Sequence, residues 1–376
     1  MSQTGMIGIV GGGQLGRMLT EAALPLGFRV IVLDPGGNCP AAQVGAEQIV
    51  GDLYDSDSLK KLAEKADFIT IEIEHLDTHP LEVIAGAGKP VNPSPKTIAL
   101  IQDKFRQKAF LRETGIPVAD FVEVSDIAAA ENALQDFGGK MLLKSRHGAY
   151  DGRGNAVVNS PQDIETAMAS LGDKLYAEKF VPFKKELAVM VVRDTNGNVA
   201  TYPVTETIHE RNICVETLTP ADIDPEVAEQ AETFAKAVAE HLEGAGVFGI
   251  EMFLTDDDQI LINEIAPRVH NSGHYTIEAC ETSQFEQHIR AITGMELGPT
   301  KLQVPAAVMV NILGKRNGPT EVKGVGEAEA VPGVAVHLYG KSPTKVDRKM
   351  GHITATGETL AEARERAVQA RKLIDV

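Results

Sequence analysis

The chain has 376 residues, of which 43% are hydrophobic and 24% are charged, a composition typical of globular proteins with room for two or three domains. Its formal net charge of −17 argues against a general nucleic-acid or anionic-membrane surface. No apolar run approaches membrane-spanning length, and a strand begins too soon after Met1 for a signal peptide. The three well-separated cysteines indicate reduced thiols. We therefore expect a cytoplasmic protein without nucleic-acid or membrane partners.

The first hundred residues alternate short apolar strands with helical patterns. MIGIV, RVIVLD and DFITIEIE are the predicted strands, and helices are predicted from about Gln14 and over SDSLKKLAEK. This alternation predicts a parallel sheet with helices on both faces, a Rossmann-like α/β domain. The loop GGGQLG after the first strand fits the dinucleotide fingerprint, with Asp34 at the end of the second strand. The same glycines can instead make a tight turn or hold another phosphate or ribose.

A second region begins near residue 103 with the predicted helix DKFRQKAFLRETG and continues in mixed strands and helices to about Gly298. Within it, Lys144 ends the strand-like run MLLK and precedes the loop GAYDGRGN. Glycines let a backbone approach phosphates closely. The segment predicts a phosphate site, and the alternatives are a solvated lysine and an ordinary glycine-rich turn.

Two carboxylates lie inside apolar runs of the same region. Glu251 is in VFGIEMFL and Glu264 is in ILINEIA, both dense enough in aliphatic residues to be buried strands. A buried carboxylate is costly unless a cation lies beside it. Two acidic side chains plus substrate phosphates are the usual ligands of Mg²⁺ in ATP sites. The pair predicts a Mg²⁺–nucleotide site, with structural ion pairs as the alternative.

The last region starts with the strand-like run AAVMVNILG, continues through Gly- and Pro-rich turns and VAVHLYG, and ends in an amphipathic helix from Thr359 to about Ile374. Lys341, Arg348 and Lys349 lie among these turns. Together they predict a basic pocket that draws an anionic substrate to an acidic protein. A solvated basic face is the alternative.

Several motifs together resemble the 5-(carboxyamino)imidazole ribonucleotide synthetases, purine-pathway members of the ATP-grasp superfamily. They are GGGQLGRM, LKSRHGAYDGRGN, EKFVPFKKELAV, TIHERNIC, NEIAPRVHNSGH and YGKSP…DRKMGHIT, which follow the family order over essentially the whole chain. The resemblance implies an N-terminal Rossmann-like pre-ATP-grasp domain (residues 1–102), a two-lobed α+β ATP-grasp domain (103–298) and a small β-rich C-terminal domain with a terminal helix (299–376). It also implies a homodimer.

The resemblance implies ATP-dependent carboxylation of aminoimidazole ribonucleotide by bicarbonate through carboxyphosphate, with ATP and Mg²⁺ at the site. It assigns Glu251 and Glu264 to the metal and Asp151, Arg153 and Arg268 to catalysis. Lys104 stands where many relatives have arginine, so the charge is kept and the bidentate fork is lost. The ATP-binding positions that it implies are Lys104, Lys144, Ala149, Tyr150, Asp151, Gly152, Arg153, Gly154, Asn155, Glu178, Lys179, Phe180, Val181, Glu186, His209, Asn263 and Glu264.

The acceptor site implied by the same resemblance combines all three regions. Glu72 is the alternative to Glu74 in the third strand, where this chain departs from the usual family pattern. The implied acceptor residues are Gln14, Glu74, Tyr150, Arg153, His270, Asn271, Ser272, Lys341, Arg348 and Lys349.

Two other functions stay open. A different ATP-grasp ligase, such as formate-dependent glycinamide ribonucleotide transformylase or a biotin-dependent carboxylase, would share the nucleotide site and bind another acceptor. A non-catalytic nucleotide- or NAD-binding module would keep the glycines and would not need Lys144, Glu251, Glu264 and Arg268 together.

Overall fold

The computed structural model describes residues 5–148 and 154–376. Its N-terminal part is a parallel four-stranded sheet of order β3-β2-β1-β4. Every residue of the first strand is buried, as expected for a parallel strand covered on both faces. The elements are β1 (Met6–Val10), α1 (Gln14–Ala23), β2 (Arg29–Asp34), β3 (Glu47–Val50), α2 (Ser56–Lys65), β4 (Phe68–Ile71), α3 (His79–Gly86) and α4 (Pro95–Gln102).

The sheet confirms the predicted Rossmann-like topology, with two differences in its strands. The predicted strand DFITIEIE ends at Ile71, so Glu72 and Glu74 lie beyond the carboxyl end of β4. Carboxyl ends of parallel strands are where such sheets usually place their sites. The strand Glu47–Val50 was not predicted, because its half-buried edge position gives it little apolar signal.

The glycine-rich loop is bound by the protein's own carboxylates. The Glu72 side chain accepts hydrogen bonds from Gly13 N at 2.5 Å and Gly16 N at 2.8 Å, and Asp34 accepts one from Gly12 N at 3.0 Å. Gly11 has φ +98°, and a Cβ there would lie 2.5 Å from Glu72 Cγ, so only glycine fits. The amides that a dinucleotide pyrophosphate would need are already used, which disfavours the NAD-binding alternative.

The first lobe of the central region is an antiparallel sheet of order β5-β8-β6-β7. Two helices cover one of its faces, and Leu143, Ile164 and Leu175 are among the buried residues of this small core. The elements are α5 (Lys104–Glu113), which precedes the lobe, then β5 (Phe121–Val124), α6 (Ile127–Asp136), β6 (Met141–Ser145), β7 (Asn155–Val158), α7 (Pro161–Leu171) and β8 (Leu175–Lys179).

The second lobe and the C-terminal region share one antiparallel sheet, of order β14-β13-β9-β11-β12-β15-β17-β16, with β10 paired to β9. The elements are β9 (Lys185–Arg193), β10 (Val199–Thr201), β11 (Thr205–Glu210), β12 (Ile213–Thr219), α8 (Pro225–His241), β13 (Gly246–Leu254), β14 (Ile260–Ala266), α9 (Thr276–Ala279), α10 (Gln284–Thr293), β15 (Ala306–Leu313), α11 (Val325–Glu329), β16 (Val334–Leu338), β17 (Lys349–Gly357) and α12 (Leu360–Leu373).

The join between β12 and β15 was not expected from the sequence. These strands pair antiparallel, with Glu216 opposite Val310 and Thr219 opposite Ala307. The C-terminal strands therefore extend the ATP-grasp sheet and do not form a sheet of their own.

The N-terminal domain packs firmly on this large sheet. One continuous core joins residues of β1 and α1 to residues of β9, α10 and β15, among them Ile7, Leu19 and Met190. The buried His288 ring on α10 bridges the two parts, with Nε2 at 2.8 Å from Thr70 Oγ1 and Nδ1 accepting from Val247 N at 3.1 Å. Within the described ranges no helix is long and apolar enough to cross a membrane.

Candidate active site

A cavity of about 420 Å³ opens where the N-terminal domain, both lobes and the C-terminal strands meet. A larger surface cavity of about 680 Å³ lies between α2 and α3 and contains none of the predicted site residues. The predicted residues that line the 420 Å³ cavity are Glu74, Lys144, Asn155, Glu186, His209, Glu251, Asn263, Glu264, Arg268, His270, Asn271 and Lys349.

The remaining predicted residues fall into two groups. Gln14, Lys104, Gly154, Glu178, Lys179, Phe180, Val181, Ser272, Lys341 and Arg348 are not part of the cavity lining. Ala149, Tyr150, Asp151, Gly152 and Arg153 lie outside the described residues.

The two predicted metal-binding carboxylates face each other. Glu251 on β13 is paired directly with Glu264 on β14, beside an irregularity in the register. Burial, followed by the negative charge of Glu264, raises the pKa of Glu251 to about 7. Lys104 Nζ lies 2.6 Å from Glu264 Oε1, and His270 Nε2 lies 3.6 Å from Glu251 Oε1. Negative charge is thus concentrated here, and among the described residues Lys104 is the lysine in direct contact with it.

This pair fits a cation that also binds phosphate. Among residues 5–148 and 154–376, no group of three or more His, Cys, Asp or Glu side chains is arranged to hold a metal ion. Mg²⁺ in nucleotide sites needs only one or two protein carboxylates, since water and phosphate oxygens complete its six ligands. The donor set therefore suits Mg²⁺ brought with a nucleotide.

Glu186 and His209 form a second polar pair on the cavity wall. They lie on neighbouring strands, β9 and β11, and His209 Nδ1 is 2.5 Å from Glu186 Oε2. Burial works against the charged imidazole, but the hydrogen bond and charge of Glu186 raise the pKa of His209. The structure brings both predicted nucleotide-site residues into contact.

Part of the cavity lining is apolar. The rings of Phe183 and Phe253 stack with centroids 4.6 Å apart and planes 12° from parallel, and Leu142 and Val157 line the same cavity. Such a surface suits a planar aromatic ring. Sequence reasoning missed both phenylalanines, although Phe253 follows Glu251 by two residues on β13 and therefore shares its face.

The segment EKFV lies outside the lining of the main cavity. Lys179, Phe180 and Val181 border a separate cavity of about 420 Å³ with Val118 and Asp120. Lys179 forms an exposed ion pair with Asp120, and Lys140 Nζ lies 3.5 Å from the centre of the Phe180 ring. Their side chains do not reach the main cavity, so a role in binding the nucleotide would have to use their backbone.

Glu178 is the exception in this segment, because it is the centre of a buried charge cluster. Its Oε1 accepts a hydrogen bond from Lys144 Nζ at 2.7 Å, and its Oε2 lies 2.8 Å from Lys108 Nζ. Burial opposes ionisation, but the two ammonium groups hold the pKa of Glu178 down at about 2. Lys108 was missed, although it follows Lys104 by four residues on α5 and so shares its face.

The charge cluster should make the free energy of unfolding of the protein depend on pH through Glu178. Glu178→Gln should lower the free energy of unfolding at pH 7 by about 3–5 kcal/mol, because two buried ammonium groups lose their anion. The pKa of Glu178 is lower in the folded protein, so its contribution is present above about pH 4.5 and is lost as pH falls towards 2. Urea unfolding of both proteins should therefore show a difference that narrows below pH 4.5.

The surface variant Glu123→Gln is the control for this measurement. It removes a 60%-exposed carboxylate that pairs with Arg146 and should change stability by less than about 1 kcal/mol. A constant difference between wild type and Glu178→Gln from pH 7 to pH 3 would contradict the assignment.

Arg268 joins the cavity to the N-terminal domain. Its guanidinium binds both oxygens of Glu74, with Nη2 to Oε1 at 2.9 Å. Although burial opposes ionisation, this guanidinium holds the pKa of Glu74 at about 2. Burial and the Arg268 charge lower the pKa of His270 to about 3, so its imidazole is neutral. Of the two alternatives, Glu74 reaches the cavity, whereas Glu72 is bound to the glycine loop.

Asn271 is oriented by a residue that the sequence did not indicate. Its side-chain amide forms two hydrogen bonds with that of Asn311 on β15, at 3.0 and 2.7 Å. Asn311 Nδ2 also donates to the Cys214 carbonyl oxygen at 2.8 Å. A carbonyl only accepts, so it fixes the Asn311 amide and, through it, the Asn271 amide. Asn271 therefore presents one defined set of donors and acceptors to the cavity.

The C-terminal basic residues are only partly brought together. Lys349 lines the cavity, and its carbonyl oxygen accepts from Lys341 Nζ at 3.1 Å. Arg348 Nη1 donates to the Pro343 carbonyl at 2.6 Å and is not part of the lining. Lys349 thus lines the cavity, whereas Lys341 and Arg348 are outside its lining.

Comparison with known proteins places this geometry in a family. The ribonucleotide synthetase preATP-grasp domain matches residues 4–102, the ATP-grasp domain matches residues 109–285, and the phosphoribosylaminoimidazole carboxylase C-terminal domain matches residues 307–366. The N5-carboxyaminoimidazole ribonucleotide synthase of Synechococcus elongatus is 38% identical over 372 residues, which are 98% of this chain and 93% of the relative. The chain belongs to the N5-carboxyaminoimidazole ribonucleotide synthase family of ATP-grasp ligases.

Other relatives include longer proteins and proteins with solved structures. The phosphoribosylaminoimidazole carboxylase of Schizosaccharomyces pombe is 45% identical over 97% of this chain and 67% of its own length. The chain thus spans about two thirds of such longer relatives. The Aspergillus clavatus N5-carboxyaminoimidazole synthase in complex with ADP and 5-aminoimidazole ribonucleotide has a TM-score of 0.91 at 40% identity, covering 99% of this chain and 100% of that one. The three-part fold and the ATP-grasp prediction are confirmed.

Proposed function

We propose that this chain catalyses the ATP-dependent carboxylation of 5-aminoimidazole ribonucleotide with bicarbonate, giving the N5-carboxyamino product, ADP and phosphate. The observation that carries the proposal is the facing pair Glu251 and Glu264 in one cavity with Lys144, Arg268 and Lys349. Two carboxylates suit a metal, and the basic residues suit two phosphorylated substrates. ADP and 5-aminoimidazole ribonucleotide are the ligands named for the A. clavatus relative.

An acceptor comparison tests the proposal. ADP release from ATP and Mg²⁺ in bicarbonate buffer should require 5-aminoimidazole ribonucleotide. Glycinamide ribonucleotide with formate should give only background, as should a biotin acceptor. Release that is equally fast with glycinamide ribonucleotide would favour the transformylase alternative.

The chemistry asks the protein mainly for positioning and charge neutralisation. A bicarbonate oxygen attacks the γ-phosphorus in line, the bond to the β–γ bridging oxygen breaks, and ADP leaves. The carboxyphosphate formed is a mixed anhydride. The amine of the ribonucleotide attacks its carbon directly, or carboxyphosphate first releases phosphate and the amine attacks the CO₂ that remains. Phosphate leaves and the amine loses a proton. Lys144, which lines the cavity, is proposed to contact the phosphates, and Arg268 is proposed to stabilise the bicarbonate-derived anion.

Glu251 and Glu264 are proposed to hold Mg²⁺, with Asn263 beside them. When bound, the ion would neutralise phosphate charge and fix the γ-phosphoryl group for transfer. Lys104, now 2.6 Å from Glu264, supplies positive charge at the same edge. The nucleotide base is proposed to lie against Phe183 and Phe253, and the ribose to be held by Glu186.

The acceptor is proposed to lie between His270, Asn271 and Lys349, which line the same cavity. His270 has its pKa lowered to about 3, so its neutral ring can donate one hydrogen bond and accept another. Cys214 lines the same cavity, and burial raises the pKa of its thiol to about 12. That thiol stays protonated at neutral pH, which agrees with a reaction that needs no covalent protein nucleophile.

The Asn311 contact gives a prediction for acceptor binding. Asn311→Leu removes the group that orients Asn271, so the KM for 5-aminoimidazole ribonucleotide should rise about tenfold, while the KM for ATP changes less than about twofold. Both constants are measured from initial rates of ADP release.

Thr217→Val is the matched control. Thr217 is fully buried on β12 of the same sheet, and within the described part of the chain its hydroxyl has no hydrogen-bond partner. The change to valine also replaces a buried polar group by an apolar one, and it should leave both KM values unchanged. Equal effects of the two variants would mean that Asn311 does not act through Asn271.

The domain limits 1–102, 103–298 and 299–376 are our proposal, supported by family matches that start and end near them. We also propose a homodimer, as the family resemblance implies, and light scattering of the purified protein tests it. A cytoplasmic location is supported by three buried cysteines that are not in disulfides.

A further inference from the structure

Lys108 is the most deeply buried cation in the charge cluster behind the cavity. Its side chain is 2% exposed, that of Glu178 is 1% exposed, and that of Lys144 is 9% exposed. Of these three side chains only that of Lys144 lines the cavity. Lys108 is thus outside the cavity lining, and its ammonium lies 2.8 Å from Glu178 Oε2, so we expect it to act on a bound nucleotide mainly through Glu178.

Stability is a weak reason for burying three charges. Removing two ions from water costs several kcal/mol each, and well-packed apolar residues are often as stable as a buried ion pair. Burial lowers the pKa of Lys108, against the attraction of Glu178. The cluster is therefore better explained by what its charge does for the residue at the cavity.

The net charge of the cluster depends on whether Lys108 is part of it. Glu178 contacts both lysines, one through each oxygen. With Lys144 alone, Glu178 would form a neutral pair, and an approaching phosphate would meet little net positive charge. With Lys108 on the other oxygen, the three groups carry a net charge of +1. Solvent and salt screen buried charges weakly, so this charge extends to the cavity.

We infer that Lys108 is a positioning residue that balances the charge of Glu178, so that Lys144 presents its full positive charge to the phosphates of the bound nucleotide. This rests on the proposed nucleotide site. In this arrangement Glu178 holds the Lys144 ammonium in place through one carboxylate oxygen, and Lys108 neutralises the charge of Glu178 through the other.

The test measures binding of ADP with Mg²⁺ by isothermal titration calorimetry, and binding of adenosine by competition against ADP. Lys108→Met keeps the length of the side chain and removes its charge. We expect it to weaken ADP about tenfold and to leave adenosine within about twofold, because adenosine has no phosphate. Arg106→Met removes an exposed charge from the same helix and should change neither.

A second variant separates charge from packing. Lys108 also donates to the Ile262 carbonyl oxygen at 3.2 Å, so Lys108→Met removes this contact with β14 as well. The double variant Lys108→Met/Glu178→Gln still lacks that contact but restores the net charge of +1. It should bind ADP more tightly than Lys108→Met, and it should be more stable than Glu178→Gln.

The outcomes are distinct. Equal losses for ADP and adenosine in Lys108→Met would overturn the inference, as would an unchanged ADP affinity or a double variant no better than the single one. A wild-type protein that binds adenosine and ADP equally weakly would overturn the proposed phosphate site itself. Those measurements need no acceptor, so a failure of the proposed carboxylation would not be confused with a failure of this inference.

Discussion

Glu264→Gln is expected to remove most of the turnover while leaving the fold intact. The substitution keeps the shape of the side chain and takes away one of the two facing carboxylates on β13 and β14. A metal ion that neutralises a transferring phosphoryl group contributes several kcal/mol. Losing about 3 kcal/mol of this slows the reaction roughly 100-fold or more. Initial rates of ADP release at saturating Mg²⁺ measure the effect.

Two controls accompany this variant. Glu296→Gln makes the same change at an exposed position and should keep the wild-type rate. Thermal unfolding of Glu264→Gln without ligands should stay close to wild type or move upwards, because Glu264 contributes to the repulsion felt by Glu251. Near-normal ADP release by Glu264→Gln would remove the basis for assigning the metal to this pair.

Lys341→Ala is expected to weaken binding of the acceptor without weakening binding of the nucleotide. Lys341 donates to the Lys349 carbonyl, so the substitution removes a cation proposed to attract the ribonucleotide phosphate and a support of the cavity-lining Lys349. A charge-assisted contact of the kind proposed between Lys349 and the ribonucleotide phosphate contributes roughly 1.5–3 kcal/mol, and it depends on Lys349 being held in place. The KM for 5-aminoimidazole ribonucleotide should therefore rise about 10- to 100-fold, with little change in the KM for ATP.

Lys345→Ala is the control for that experiment, because it removes an exposed lysine from the same turn. It should leave both constants near wild type. Equal losses for ATP and for the ribonucleotide in Lys341→Ala would show that the C-terminal basic residues do not anchor the acceptor.

Much of the fold could be predicted because its signals are local. The buried runs around Glu251 and Glu264 predicted two strands, and strands β13 and β14 contain them. Thr359 was predicted to start the last helix, and its side chain accepts a hydrogen bond from Glu362 N at that helix start. Such features depend on residues a few positions apart, which periodicity and capping describe well.

Much of the candidate site could not be predicted from periodicity, because it depends on contacts between distant residues. Nothing local shows that Lys108 meets Glu178, that Asn311 meets Asn271, or that the carboxylate of Glu72 occupies the glycine loop. Each of these is a buried polar group whose partner comes from another element. Burial obliges such a group to find a partner but does not say which one. The motif GGGQLG likewise predicted the turn correctly, but it did not indicate that the carboxylate of Glu72 accepts hydrogen bonds from the amides of this loop.

The continuous sheet has a consequence for how this chain can be divided. Because residues Glu216–Thr219 of β12 pair with β15, a fragment that stops near residue 298 would leave this part of β12 as an unprotected edge. Such edges recruit strands from other molecules, so the fragment should self-associate even though it contains all of the proposed nucleotide-binding residues. Exchange of C-terminal segments between relatives would need a matching register at this seam. The limit between the central and C-terminal regions in the sequence therefore does not divide the protein into parts that would each be stable alone.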